Sequence, residues 1–131
     1  MTKEQERLRE LYSMMAGIPD ELVDLSRWKC GTLACAGGWA CQYPPFMVQG
    51  LTLYESGPSF DGDEDYCALA NFFGISYESA FSLFGACGTR SMLTDRRIFL
   101  IRLRNFLVDD GIITKARSDE LARNEEAGVL A

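Results

Sequence analysis

The residues most able to do chemistry are five cysteines, at positions 30, 35, 41, 67 and 87, in a chain of 131 residues that contains no histidine. Cys30-x4-Cys35-x5-Cys41 departs from the Cys-x2-Cys hooks of structural zinc sites. On one helix Cys35 and Cys41 stand about 9 Å apart along the axis, too far to share one ion. A metal site would have to join Cys30 and Cys35 to the distant Cys67 or Cys87. No metal and no cofactor is therefore expected. In the first turn of a helix, the Cys35 thiol would feel the positive helix end, which lowers a thiol pKa. That makes Cys35, with Cys30 as its nearest partner, the centre of one functional reading, a thiol-dependent enzyme or redox sensor. The missing histidine removes a Cys-His pair within the chain, so the balance leans away from an enzyme. The ordinary reading is that these cysteines are small buried apolar residues.

The second chemical feature is acidic. Asp61-Gly62-Asp63-Glu64-Asp65 alternates acids as a calcium loop does, but that loop needs Gly at its sixth position and Glu at its twelfth. Tyr66 and Phe72 stand there instead. Two readings remain: acids favoured by the positive end of the following helix, or a charged epitope for a basic partner. The charge distribution bears on both. No Lys or Arg lies between Lys29 and Arg90, whereas that stretch carries Glu55, Asp61, Asp63, Glu64, Asp65 and Glu78, which match the net charge of −6. A third feature is the group Arg96, Arg97 and Arg104, within about 100° of one another on a helix. Its ordinary reading is a solvated face paired with the acidic middle; its sharper reading is an anion contact. Direct nucleic-acid binding is not expected of an acidic chain whose arginines alternate with no stacking aromatics.

These groups need elements to hold them. Thr2 with Gln5 reads as a capping box opening a helix whose apolar face is Leu8, Leu11, Tyr12 and Met15, with Glu4, Glu6, Arg7, Arg9 and Glu10 outside it. Gly17 and Pro19 end it, and Pro19–Leu25 reads as one short turn. Thr32 reads as the cap of a helix from Leu33 to about Tyr43, stopped by Pro44-Pro45. Gly37-Gly38 inside it costs about 1 kcal/mol per glycine against alanine, so a close neighbour must compensate. Residues 47–60 read as a small hairpin with its turn at Glu55-Ser56-Gly57-Pro58. Helices follow from Tyr66 to Phe73 before Gly74, from a Ser76 cap to Phe84, from a Thr94 cap to Asp109, and from Thr114 to Glu126. The last has few apolar residues to hold it. Phe46, Met47 and the hairpin are candidates for an exposed apolar patch, and self-association is the simplest partner for one.

Trp28, Cys30-Gly31-Thr32, Cys35 and Gly38-Trp39-Ala40, followed by Ala68–Ser76, Ala80 and Leu83-Phe84, resemble a signature of a family of small phage and bacterial proteins. The resemblance covers roughly residues 25–107. It implies a phage or bacterial accessory protein and carries over no catalytic residues.

The expected fold is mainly α: a small orthogonal helical domain of five to six helices around a buried Gly/Ala/Cys-rich central helix, with a small β-hairpin near 47–60. One domain spans 1–131, with an N-terminal helix at 1–18, a core at 25–110 and a peripheral polar helix at 112–131. No apolar run approaches the roughly 20 residues of a membrane span, and the charged N-terminus lacks a signal-peptide core. A cytoplasmic location, in a bacterial host if the chain is phage-encoded, is expected. The expected function is non-enzymatic binding to a host or phage protein, for instance inhibition of a defence or nucleic-acid enzyme, through Asp61, Asp63, Glu64 and Asp65. The alternatives are the Cys35 thiol and a structural metal module.

Overall fold

The first helix forms because its cap is local and complete. In the computed structural model, which describes residues 1–29, 31–86 and 92–128, the Thr2 hydroxyl accepts from the Gln5 N–H while the Gln5 side chain accepts from the Thr2 N–H, opening α1 (Lys3–Ala16). A single 3-10 turn follows at Asp20–Leu22. The described residues then form α2 (Ala36–Ala40), α3 (Pro44–Met47), β1 (Thr52–Tyr54), β2 (Gly57–Phe60), β3 (Asp63–Glu64), α4 (Asp65–Phe73), α5 (Tyr77–Phe84), α6 (Asp95–Asp109) and α7 (Lys115–Glu126). The fold is mainly α, with one antiparallel sheet in the order β1-β2-β3.

Several boundaries follow from residues that cap or break helices. Ser76, Thr94 and Thr114 each accept from a backbone N–H three residues on, at Ser79, Arg97 and Arg117. Gly74 ends α4 at φ 67°, a left-handed conformation that a side chain disfavours. One hydrophobic cluster runs from Leu8 to Leu121. At its centre Phe46, Phe72, Phe73, Phe84 and Phe99 form a chain of rings with centroids 5.0–5.7 Å apart. Each buried Phe contributes about 1.5–3 kcal/mol relative to exposure.

The glycine-rich segment departs from its expected form. Thr32 does not cap a helix. Leu33 and Ala34 are extended, and Ala34 makes a parallel bridge with Val23 through Ala34 N–H to Leu22 O (3.3 Å) and Asp24 N–H to Ala34 O (3.0 Å). The helix starts only after that bridge, capped by Cys35, and ends at Ala40. Pro44 and Pro45 lie beyond that end, past Cys41, Gln42 and Tyr43. They open the next helix, where a missing N–H leaves no bond unmade. Met47 therefore belongs to α3 and not to an extended arm. Phe46 is 0% exposed, so it is no part of a surface patch, although Met47 and Val48 beside it are exposed. The hairpin is present, but its turn is Glu55-Ser56, with Gly57 and Pro58 already in β2.

Candidate functional site

Trp28 is the residue around which the site is built. It lies in the loop before α2, and three glycines make room for it. A Cβ on Gly37 would lie 3.0 Å from Trp28 Cζ3, one on Gly38 would collide with the Trp28 carbonyl oxygen, and one on Gly57 would lie 2.9 Å from Trp28 Nε1. The paired glycines thus accept close packing, as expected. Their neighbours are the Trp28 loop and Leu69 of α4, whose Cδ1 would be 2.9 Å from a Gly37 Cβ. Further bonds fix the segment: Cys35 N–H to Arg27 O (2.7 Å), and the Trp39 indole N–H to Leu22 O (2.9 Å).

The acidic stretch arrives from the other side. Asp61 and Gly62 form the two-residue turn between β2 and β3, with φ of 50° and 89°, and Phe60 faces Asp63 across it. A two-residue hairpin turn with both φ positive favours this Asp-Gly pair. Asp63 and Glu64 then lie on β3, and Asp63 accepts from the Asn71 side chain (3.0 Å). Asp65 begins α4 at φ 55°, which costs a non-glycine residue strain. Asp65 Oδ1 and Trp28 Nε1 both converge on the face of Gly57, where a Cβ would meet them at 2.6 and 2.9 Å.

Between these two segments lies a pocket of about 370 Å³. Its walls include Arg27, Trp28, Cys35, Glu64, Asp65, Tyr66, Cys67 and Tyr77. Tyr66 links Trp28 and Tyr77 in the lining, its ring 5.1 and 6.4 Å from theirs, and lies 5.2 Å from the Phe81 ring outside it. Tyr77 and Phe81 are one helical turn apart on α5 and are 54% and 55% exposed. Burial, then the negative forms of Cys35, Tyr77 and Asp65, push the Tyr66 hydroxyl above its ordinary pKa.

Cys35 touches this pocket but is not an activated thiol. It is 2% exposed, and burial pushes its pKa up despite the N–H groups of Gly38 and Gly37, with Asp24 adding in the same direction. The expected lowering by the helix end is reversed, because desolvating the thiolate outweighs what a five-residue helix supplies. Cys41 is pushed up to about 12, first by burial and then by Cys35. Cys30 and Cys87 lie outside the described residues. Among the described residues no cluster of three or more Cys, Asp or Glu could hold a metal ion.

The arginines are engaged elsewhere. The Arg96 guanidinium makes five hydrogen bonds: to Met15 O, Ala16 O, Asp20 Oδ1 and both oxygens of Glu125. It thereby supplies a cation to the C-terminus of α1 and ties α7 to the core. Arg97 Nε lies 3.7 Å from Glu125, and Arg104 donates to the Tyr12 hydroxyl (2.9 Å). Arg102 donates to Gly85 O (2.7 Å) at the end of α5. The pairing of Arg96 and Arg97 is therefore with Asp20 and Glu125, not with the acidic middle as expected.

The structure thus brings Cys35, Glu64 and Asp65 to one pocket, leaves Asp61 on the adjoining turn and Asp63 on β3 outside the lining, and places none of Arg96, Arg97 and Arg104 in that lining. Tyr66, Tyr77 and Phe81 were not singled out from the sequence. Their signal was the Tyr77/Phe81 spacing of four on an α5 whose Ala80, Leu83 and Phe84 are buried. No helix among the described residues is long and apolar enough to cross a membrane. Comparison with known proteins finds no matching family model, no matching curated protein and no matching solved structure.

Proposed function

We propose that this chain is a non-enzymatic binding module, a phage or bacterial accessory protein acting in the bacterial cytoplasm, that engages a basic surface of a host or phage protein through Asp61, Asp63, Glu64 and Asp65. A defence or nucleic-acid enzyme with a basic groove is the kind of target this charge would obstruct. One observation carries the reading. All four carboxylates are exposed, and none forms an ion pair with a basic residue among the described residues. Acids held for the fold would be paired or would cap a helix; Glu64 at the start of α4 makes no side-chain cap. The orthogonal packing of helices around the glycine-rich segment belongs to this reading as the scaffold that presents the turn.

The test is capture from bacterial lysate with the wild-type chain beside the Asp61→Lys/Asp63→Lys/Glu64→Lys/Asp65→Lys variant, with circular dichroism on both. The expected result is a stoichiometric protein held by the wild type and lost by a variant that is still folded. With the purified partner, binding should weaken as salt rises, because exposed charges are screened. A partner held equally by the reversed variant would refute the reading.

A further inference from the structure

The pocket beside the acidic turn has a chemistry that the turn alone lacks. Two carboxylates, Glu64 and Asp65, share it with the rings of Trp28, Tyr66 and Tyr77. The rings do not lie in one stack: Trp28 and Tyr66 meet at 55°, Tyr66 and Tyr77 at 88°, so they form angled walls. Angled aromatic walls with carboxylates suit a cation that has both a flat face and several donors. Arg27 also lines the pocket, with its Nε 3.3 Å from Asp24, and the lining as a whole is one charge negative. The volume of about 370 Å³ leaves room for one long side chain.

We propose that this pocket receives an arginine side chain of the partner protein, its guanidinium held by Glu64 and Asp65 and its flat face against the aromatic wall. The inference rests on the binding-module reading and names what the module grips. A guanidinium fits better than an ammonium, because it stacks on rings and forks onto carboxylates in one pose. Tyr77, half exposed in the lining, extends the apolar contact around the anchor, and Phe81 backs Tyr66 from outside the lining.

The experiment is a nuclear magnetic resonance titration of the labelled full chain with acetyl-Gly-Arg-Gly-amide, and with the same peptide carrying citrulline or lysine in place of arginine. The indole N–H of Trp28, assigned by Trp28→Phe, should shift saturably with the arginine peptide. Citrulline, which keeps the shape but loses the charge, should give no saturable shift, and lysine should bind at least about threefold more weakly. Glu64→Gln/Asp65→Asn should weaken the arginine peptide at least about tenfold; Asn tolerates the positive φ at 65, so the pocket keeps its shape. Equal shifts from arginine and citrulline, or a shift centred on Trp39 alone, would overturn the proposal. The two readings fail separately. A captured partner lost on reversing Asp61 and Asp63, with no arginine-peptide binding, removes the pocket and leaves the module. Arginine-peptide binding as described, with capture indifferent to reversing Asp61 and Asp63 but lost in Glu64→Gln/Asp65→Asn, leaves the pocket and removes the turn.

Discussion

The arginines of α6 and the acids of residues 61–65 are clusters of opposite charge, and the fold treats them in opposite ways. Arg96 reaches three separate parts of the chain, the end of α1, Asp20 and Glu125, and its side chain is 13% exposed. Arg102 and Arg104 are similarly bound to Gly85 O and Tyr12. The carboxylates stay exposed and, among the described residues, form no ion pair; Asp63 accepts one bond, from Asn71. Local charge density in a sequence therefore does not say which charges the fold uses internally. Arginines on a helix can be internal mortar while a denser run of acids stays exposed.

Substitutions can break that contrast, and the largest expected effect is on the internal side. Arg96→Met removes five hydrogen bonds and leaves Glu125, 10% exposed, without its principal cation. Urea unfolding should show a loss of about 3 kcal/mol, with α7 exchanging its amide protons faster. A loss below about 1 kcal/mol, the range of surface pairs, would place Arg96 with the solvated charges. Next is Gly38→Ala, which forces a Cβ onto the Trp28 carbonyl and should cost about 2 kcal/mol by overpacking. Unaltered stability there would mean that the loop relaxes and that the signature glycines are not a packing requirement.

A smaller effect comes from the thiols. The folded protein holds Cys41 up to about 12 against an ordinary value of 9.0, with Cys35 shifted the same way. The unfolded chain therefore ionises first. Stability is unaffected well below pH 9 and falls as pH rises from there towards the folded value, by at most about 1.4 kcal/mol per pH unit for each thiol. Unfolding under reducing conditions between about pH 8 and about pH 9.5 should show this decline, and Cys41→Ala should remove part of it. Identical slopes in the two proteins would contradict the burial argument.

How much of this was legible depends on how local the cause is. The Thr2–Gln5 box, the Ser76 and Thr94 caps and the Gly74 stop are written within a few residues, and each element they bound is present. The start of α2 was not legible. Leu33 and Ala34 are taken from the helix by Val23, a partner that helical periodicity does not reveal. Arg7 misled for a similar reason. It stood with the charged residues outside the apolar face of α1, yet it is 7% exposed. Its guanidinium donates to Phe72 O (2.7 Å) and Gln49 (2.8 Å) and lies 4.0 Å from the centre of the Phe72 ring. The Asp61-Gly62 pair is a two-residue hairpin signal, but the acids around it also match the pattern of a helix N-terminus, and only the pairing of Phe60 with Asp63 separates the two. The pocket joins Leu25, Ser26, Arg27, Trp28 and Cys35 to Glu64, Asp65, Tyr66, Cys67 and Tyr77, so it is written in neither segment alone.

The most direct test of the contrast is the affinity of the captured partner for the neutral variant Asp61→Asn/Asp63→Asn/Glu64→Gln/Asp65→Asn, measured by calorimetry beside its unfolding midpoint. The prediction is a Kd raised at least about tenfold with stability changed by less than about 0.5 kcal/mol. An unchanged Kd, or a loss of binding that simply follows a loss of stability, would contradict the assignment of the acidic turn to an outside partner.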